Sequence, residues 1–188
     1  MTGTASNALP SLIVVTGEPG SGKTTLTPLL AKAVRCPAIS RDEIKEGLIN
    51  TTGESGKPGD DVARVVYEAF FDVMELLLRR RVTLIAEAAF QHQVWAPKLQ
   101  PLRQIAHIRI IHCTIDPNLA RSRHIARSQA DRHRQRFHHD RELHFDDDGR
   151  ERPLQSYDPP RLDVPTLTVD TSDGYQPAMD RIIAFARG

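Results

Sequence analysis

Leu12-Ile13-Val14-Val15-Thr16-Gly17-Glu18-Pro19-Gly20-Ser21-Gly22-Lys23-Thr24 is the stretch on which the reading of the whole chain turns. It opens with four consecutive apolar residues, three of them β-branched, and the run ends near a glycine. A run that short and that apolar reads as a strand covered on both faces. Gly17 to Thr24 then satisfies G-x-x-x-x-G-K-[ST], and residues 22–34 (GKTTLTPLLAKAV) read as a helix, with Pro28 predicting a kink or a shorter element. Strand, glycine-rich turn and helix start, in that order, make an anion cradle. The glycines let the backbone wrap an anion with its N–H groups inward, and the helix N-terminus adds positive potential. The ligand class this predicts is a nucleoside triphosphate. Gly17, Gly20, Ser21, Gly22 and Thr25 would line the cradle, Lys23 would reach the β/γ-phosphates, and the Thr24 hydroxyl would bind Mg²⁺.

A second GK pair, Gly56-Lys57, fails the same test. Thr51 stands where the motif needs glycine, Pro58 where it needs Ser or Thr, and no strand precedes it. No Asn-Lys-x-Asp segment is present to read a guanine, so ATP is the expected triphosphate.

Outward from the cradle, apolar runs alternate with amphipathic stretches, as in an α/β domain with a parallel sheet. Further strands are expected at 37–39, 82–86, 108–115 and 166–169. Helices are expected from Ser40 to about Ile49, over 61–80, over 93–104, from Pro117 onward and over 175–187. Val62, Val65, Val66, Ala69, Phe70, Val73 and Leu77 form the stripe of the long one. Residues 50–60 read as a loop and 137–164 as a polar loop or lid. The expected architecture is one α/β domain over residues 11–188, a five-stranded parallel sheet flanked by helices, after a loose tail at 1–10. The lid region spans about 117–164. No internal repeat is visible.

Composition agrees with one soluble domain. The chain has 188 residues, and 25 Lys+Arg against 24 Asp+Glu leave a net charge of +1. That balance disfavours a protein coating nucleic acid. Cys36 and Cys113 are too few for a disulfide framework and read as buried free thiols in a reducing compartment. No apolar run approaches a membrane span, and the first ten residues do not read as a signal peptide, so a cytoplasmic location and no membrane partner are expected.

Ala38-Ile39-Ser40-Arg41-Asp42-Glu43-Ile44-Lys45 follows the second strand, and ligands of open α/β sheets bind at the carboxyl ends of strands. A phosphate loop, a strand ending in R-D-x-x-K, a strand ending in the acid Glu87, then an Arg-rich helix: this order resembles the P-loop kinases of hydroxyl acceptors. The group includes AAA/zeta-toxin-like and chloramphenicol phosphotransferase-like kinases and is related to the kinase domain of polynucleotide 5′-kinases. The resemblance implies that Asp42 accepts the proton of the attacking hydroxyl and that Lys45, with Arg41 as a weaker candidate, contacts the acceptor. It also implies that a lid arginine clamps the transferring phosphate and that the loop after Asp170-Thr171 borders the adenine. A carboxylate in reach of a hydroxyl is chemically apt for that proton transfer. The competing reading is local: Ser40-x-x-Glu43 is a capping box, and acids favour a helix's first turn without any chemistry.

Glu87 is expected on the Mg²⁺ side, against the plainer reading of an acid at a strand end. Trp95 is either core or a platform for an acceptor ring. Arg outnumbers Lys by 20 to 5, and nine Arg with no Lys lie between Arg121 and Arg152. Arg127 is the first candidate for the clamp and Arg123, at i−4, the second, with Arg121, Arg132, Arg134 and Arg136 as alternates. The alternative for each is a solvated face paired with Asp131, Asp140 and Glu142. His138, His139 and His144 match no zinc spacing.

These observations predict an ATP- and Mg²⁺-dependent phosphotransferase acting on a small-molecule hydroxyl of a metabolite, nucleoside or antibiotic, as a monomer or homodimer. A polynucleotide 5′-hydroxyl kinase, for which nucleic acid would be a 5′-end substrate, predicts a steep salt dependence of acceptor binding. A nucleotide switch without transferase activity predicts slow hydrolysis that no acceptor stimulates.

Overall fold

The computed structural model describes residues 8–53, 61–130, 137, 150 and 156–188. Among them lie five strands and six helices. They run β1 (Ser11–Thr16), α1 (Lys23–Val34), β2 (Ala38–Ser40), α2 (Arg41–Thr52), α3 (Asp61–Arg79), β3 (Leu84–Glu87), α4 (His92–Leu102), β4 (His107–Thr114), α5 (Pro117–Ala130), β5 (Thr166–Asp170) and α6 (Met179–Arg187).

The strands form one sheet in the order β2-β3-β1-β4-β5, and every pairing is parallel. From β1 the chain crosses toward the β2 edge, and from β4 it continues to the β5 edge. The carboxyl ends of β1 and β4 therefore flank the crevice where connections diverge, the usual ligand position in such sheets.

β1 is central and five of its six residues are buried, which is why its apolar run does not alternate. Its side chains still point to opposite faces. Leu12 and Val14 join Phe70, Phe71, Met74 and Leu78 of α3 and Trp95, Leu99 and Leu102 of α4. Ile13 and Val15 join Leu26 and Leu30 of α1 and Ile182 and Ala186 of α6. Each such side chain contributes roughly 1.5–3 kcal/mol when fully buried, so β1 anchors the leading edge of the phosphate loop on both sides. α2 packs on α3 through Ile49, Val62 and Val66.

Several boundaries differ from expectation. α2 continues to Thr52 before Gly53 stops it at φ 73°, donating its N–H to the Ile49 carbonyl; Thr51 and Thr52 stay helical with their hydroxyls on the Gly47 and Leu48 carbonyls. α1 runs through Pro28 to Val34; Pro28 faces outward and removes one bond of the second turn. α6 begins at Met179, because Gln176 bridges back to Asp170 first. Cys113 is buried but Cys36 is only half-buried, and both are free thiols. Among the described residues no helix is long and apolar enough to cross a membrane.

Candidate active site

The phosphate loop is pressed between two neighbours. A Cβ at Gly17 (φ 149°) would lie 2.3 Å from the Cys113 carbonyl oxygen, and one at Gly20 (φ 87°) 2.1 Å from the Ala120 carbonyl oxygen. Backbone occupies both places, so only glycine fits. Gly20→Ala is expected to cost about 1–3 kcal/mol of stability through the forced φ alone and to weaken nucleotide binding in parallel. Thermal melts and titration with fluorescent mant-ATP check this; a variant with wild-type melting and affinity would remove the role given to the Ala120 contact.

Lys23 begins α1 and is buried, with Nζ donating to the Glu18 carbonyl at 2.8 Å and 3.5 Å from Ser21 Oγ. Burial pulls its pKa below the usual lysine range; Glu87 and Asp42 oppose that shift, and Arg127 adds to it. Asp42 of α2 and Arg127 of α5 therefore each act on both Lys23 of α1 and Glu87 of β3, at the carboxyl ends of the strands. Thr24 and Thr25 follow on the exposed side of the first turn.

Glu87 is buried at the end of β3, where the register pairs it with Ser40 at the end of β2. Ser40 Oγ donates to Glu87 Oε2 at 3.0 Å. The capping box expected at Ser40 and Glu43 does not form: α2 has no side-chain cap bond at its start, because the Ser40 hydroxyl is turned across the sheet. Burial raises the pKa of Glu87 and Asp42 adds to the rise, while Lys23, the Ser40 bond and Arg127 hold it back. Asp42, partly exposed in α2's first turn, pairs with Arg41 at 3.2 Å. Lys45, three residues on, shares that side of the helix.

The two arginines given clamp roles part company. Arg123 donates to the Thr171 carbonyl at 2.9 Å and the Ser172 carbonyl at 2.8 Å, bracing the loop after β5. Thr171 in turn places its hydroxyl 3.0 Å from the Ser21 carbonyl and 3.2 Å from that of Thr114. Arg127, one turn later and half-buried, acts on Lys23 and Glu87. Arg121 is half-buried on the same helix. Asp116 caps α5 through the N–H groups of Asn118 and Leu119, at 3.0 and 3.1 Å, with Pro117 in the first position. Arg132, Arg134, Arg136, Asp131, Asp140, Glu142, His138, His139, His144 and the second GK pair lie outside the described residues. Among those described, no group of His, Cys, Asp and Glu is clustered to hold a metal by itself.

One cluster escaped sequence reading. Trp95 is fully buried and its indole N–H donates to Thr16 Oγ1 at 3.1 Å, so it is core and not an exposed stacking platform. Thr16 Oγ1 donates to the Ala88 carbonyl at 2.9 Å and also touches the Tyr157 hydroxyl. Tyr157 donates to the Phe90 carbonyl at 3.0 Å. Burial pushes its phenol up to about 12. The one local signal was a hydroxyl, Thr16, directly after the apolar run Leu12–Val15.

A glycine-framed anion cradle at the switch point of a parallel sheet, with a buried lysine opening the next helix, defines a P-loop nucleotide-binding protein. The residues present suit a triphosphate with Mg²⁺: a loop framed by glycines, the buried Lys23 ammonium, the exposed Thr24 and the Glu87 carboxylate. Residues 12–144 match the AAA domain family, and the chain belongs to it. Within it the chain is an ATP-dependent P-loop kinase. A candidate kinase from Chloroflexus aurantiacus J-10-fl superposes with TM-score 0.77 at 27% identity, covering 96% of this chain and 98% of that one. A gluconokinase from Sinorhizobium meliloti 1021 gives TM-score 0.58 at 18% identity, covering 96% and 93%. A chain of the Pnkp1/Rnl/Hen1 RNA repair complex gives 0.57 at 17%, covering 81% of this chain and 51% of that one. No protein of curated function matches the sequence.

Proposed function

We propose that the protein transfers the γ-phosphoryl group of ATP to a hydroxyl of a small molecule, with Asp42 accepting the hydroxyl proton. The observation that carries this is the burial of Lys23 and Glu87 beside the phosphate loop, with Asp42 and Arg127 each in electrostatic reach of both. Two cations stand ready for the transferring phosphate, and two carboxylates divide into an exposed one and a buried one. Asp42, partly exposed and held by Arg41, suits proton acceptance from an arriving hydroxyl. Glu87, buried and braced by Ser40, suits a fixed place on the metal side with Thr24. Glu87 and Thr24 would hold Mg²⁺ there, and its charge would offset that developing on the transferring phosphate. Lys45 would contact the acceptor.

A small acceptor is favoured over a nucleic-acid strand by the near-zero net charge and the 5% aromatic content, which leave little for tracking a backbone or stacking bases. The test is coupled ADP release screened over sugars, nucleosides, aminoglycosides and 5′-hydroxyl oligonucleotides. Stimulation by a small hydroxylated compound is expected. Stimulation by oligonucleotides alone, falling steeply with salt, would replace the acceptor class; no stimulation by any of them would sink transferase activity.

Arg127→Ala is expected to lower kcat about 10- to 100-fold, the worth of one charge-assisted hydrogen bond made in the transition state, with a smaller rise in KM for ATP. Steady-state kinetics with the acceptor from the screen decide it. An unchanged kcat would return Arg127 to the solvated face of α5.

A further inference from the structure

Resting on that reading, we propose that Tyr157 is a positioning residue that pins the β3–α4 loop and the segment leading back to β5 onto Thr16, the residue that leads into the phosphate loop. In doing so it sets the wall of the acceptor side. Residues 88–91 follow directly on Glu87, so where they lie determines the space beside Asp42 and Glu87.

Three donors and four acceptors meet around one phenol. The donors are Trp95 N–H and the hydroxyls of Thr16 and Tyr157; the acceptors are those two hydroxyl oxygens and the carbonyls of Ala88 and Phe90. The set closes on itself, with no donor to spare when the phenol oxygen is removed. Phe90 is held twice: its carbonyl takes the Tyr157 hydroxyl, and its ring lies 5.4–6.0 Å from those of Tyr67, Phe70, Phe71 and Trp95. The next residues zip the two segments together. Asp158 N–H donates to Gln91 Oε1 at 2.6 Å, His92 N–H to the Asp158 carbonyl at 2.8 Å, and Arg161 N–H to His92 Nδ1 at 3.0 Å. The Tyr157 ring packs beside His112 of β4 at 5.6 Å. One oxygen thus joins the acceptor-side loop and the segment returning to β5 to Thr16, at the entry of the phosphate loop.

Tyr157→Phe keeps the ring and its His112 contact and deletes only that oxygen. With the acceptor that gives the highest ADP release in the screen, its KM is expected to rise about tenfold while KM for ATP stays within about twofold. Independently of any acceptor, amides of residues 88–92 and 156–161 should exchange with deuterium about tenfold faster while β1 and α3 are unchanged, at wild-type mant-ATP affinity. Thr16→Val should reproduce both effects, Thr16→Ser should not, and the double variant Thr16→Val/Tyr157→Phe should add little. Should Tyr157→Phe fail to fold, the Thr16 pair carries the same comparison. A lower melting temperature and kcat with unchanged acceptor KM and unchanged exchange at 88–92 would reduce Tyr157 to packing. If the wild type phosphorylates nothing in the screen, the proposed transferase fails, and the exchange and mant-ATP arms still decide whether Tyr157 pins these segments.

Discussion

Lys23→Ala is expected to lower ATP turnover by about a thousandfold, because it removes the one ammonium buried inside the anion cradle. The magnitude follows from position. Lys23 is 6% exposed, and a charge that water cannot screen counts for far more than one at the surface. The substitution also leaves Glu87 without its principal opposing cation, since Lys23 is foremost among the groups that hold the pKa of Glu87 down. Glu87 should then protonate at a higher pH than in the wild type, weakening the metal side as well. Coupled ADP release over a range of Mg²⁺ concentrations measures both. Turnover within a few-fold of wild type would dismantle the assignment of residues 17–24.

Asp42→Asn should abolish transfer by roughly 10²- to 10⁴-fold, the range for a positioned proton acceptor, and leave ATP affinity within about twofold. The amide keeps the shape of the carboxylate and an oxygen for Arg41, so α2 should start as before. Removing the charge also eases ionisation of Glu87, which Asp42 opposes. Metal affinity should therefore hold or improve while transfer falls, a combination that general damage to the fold would not give. Single-turnover transfer and mant-ATP titration separate the two. Transfer surviving within a few-fold would make Asp42 a helix-starting residue and nothing more.

How much of this was legible beforehand depended on the distance over which each feature is encoded. The phosphate loop is local: strand, turn and helix start occupy adjacent positions, and both the residue pattern and the backbone demand for positive φ sit in one stretch. The parallel sheet followed from alternating patterns, but its strand order did not, because nothing in a strand's own residues states its neighbour. Ser40 shows the cost of local reasoning. Its spacing to Glu43 is that of a capping box, yet the β2–β3 register places it opposite Glu87, and the buried carboxylate takes the hydroxyl. Arg123 and Arg127 are a helical turn apart, and the sequence offers both for the clamp, Arg127 first. Only the packing of α5 on the loop after β5 gives one to backbone carbonyls and the other to the neighbourhood of Lys23. Tyr157 was beyond reach altogether, since its partners Thr16 and Phe90 come from two distant strand ends.

The bond from Lys23 Nζ to the Glu18 carbonyl has a thermodynamic consequence. A free lysine side chain surrenders about 2 kcal/mol of rotamer entropy when it is immobilised. Here the four-carbon stem is already fixed by the loop's own backbone, so that loss is incurred when the chain folds and not when a nucleotide arrives. An incoming phosphate has only to exchange places with one carbonyl oxygen. Capture of the nucleotide therefore draws on rigidity that the protein's stability has underwritten, and substitutions that disturb residues 17–22 should lose affinity and stability together.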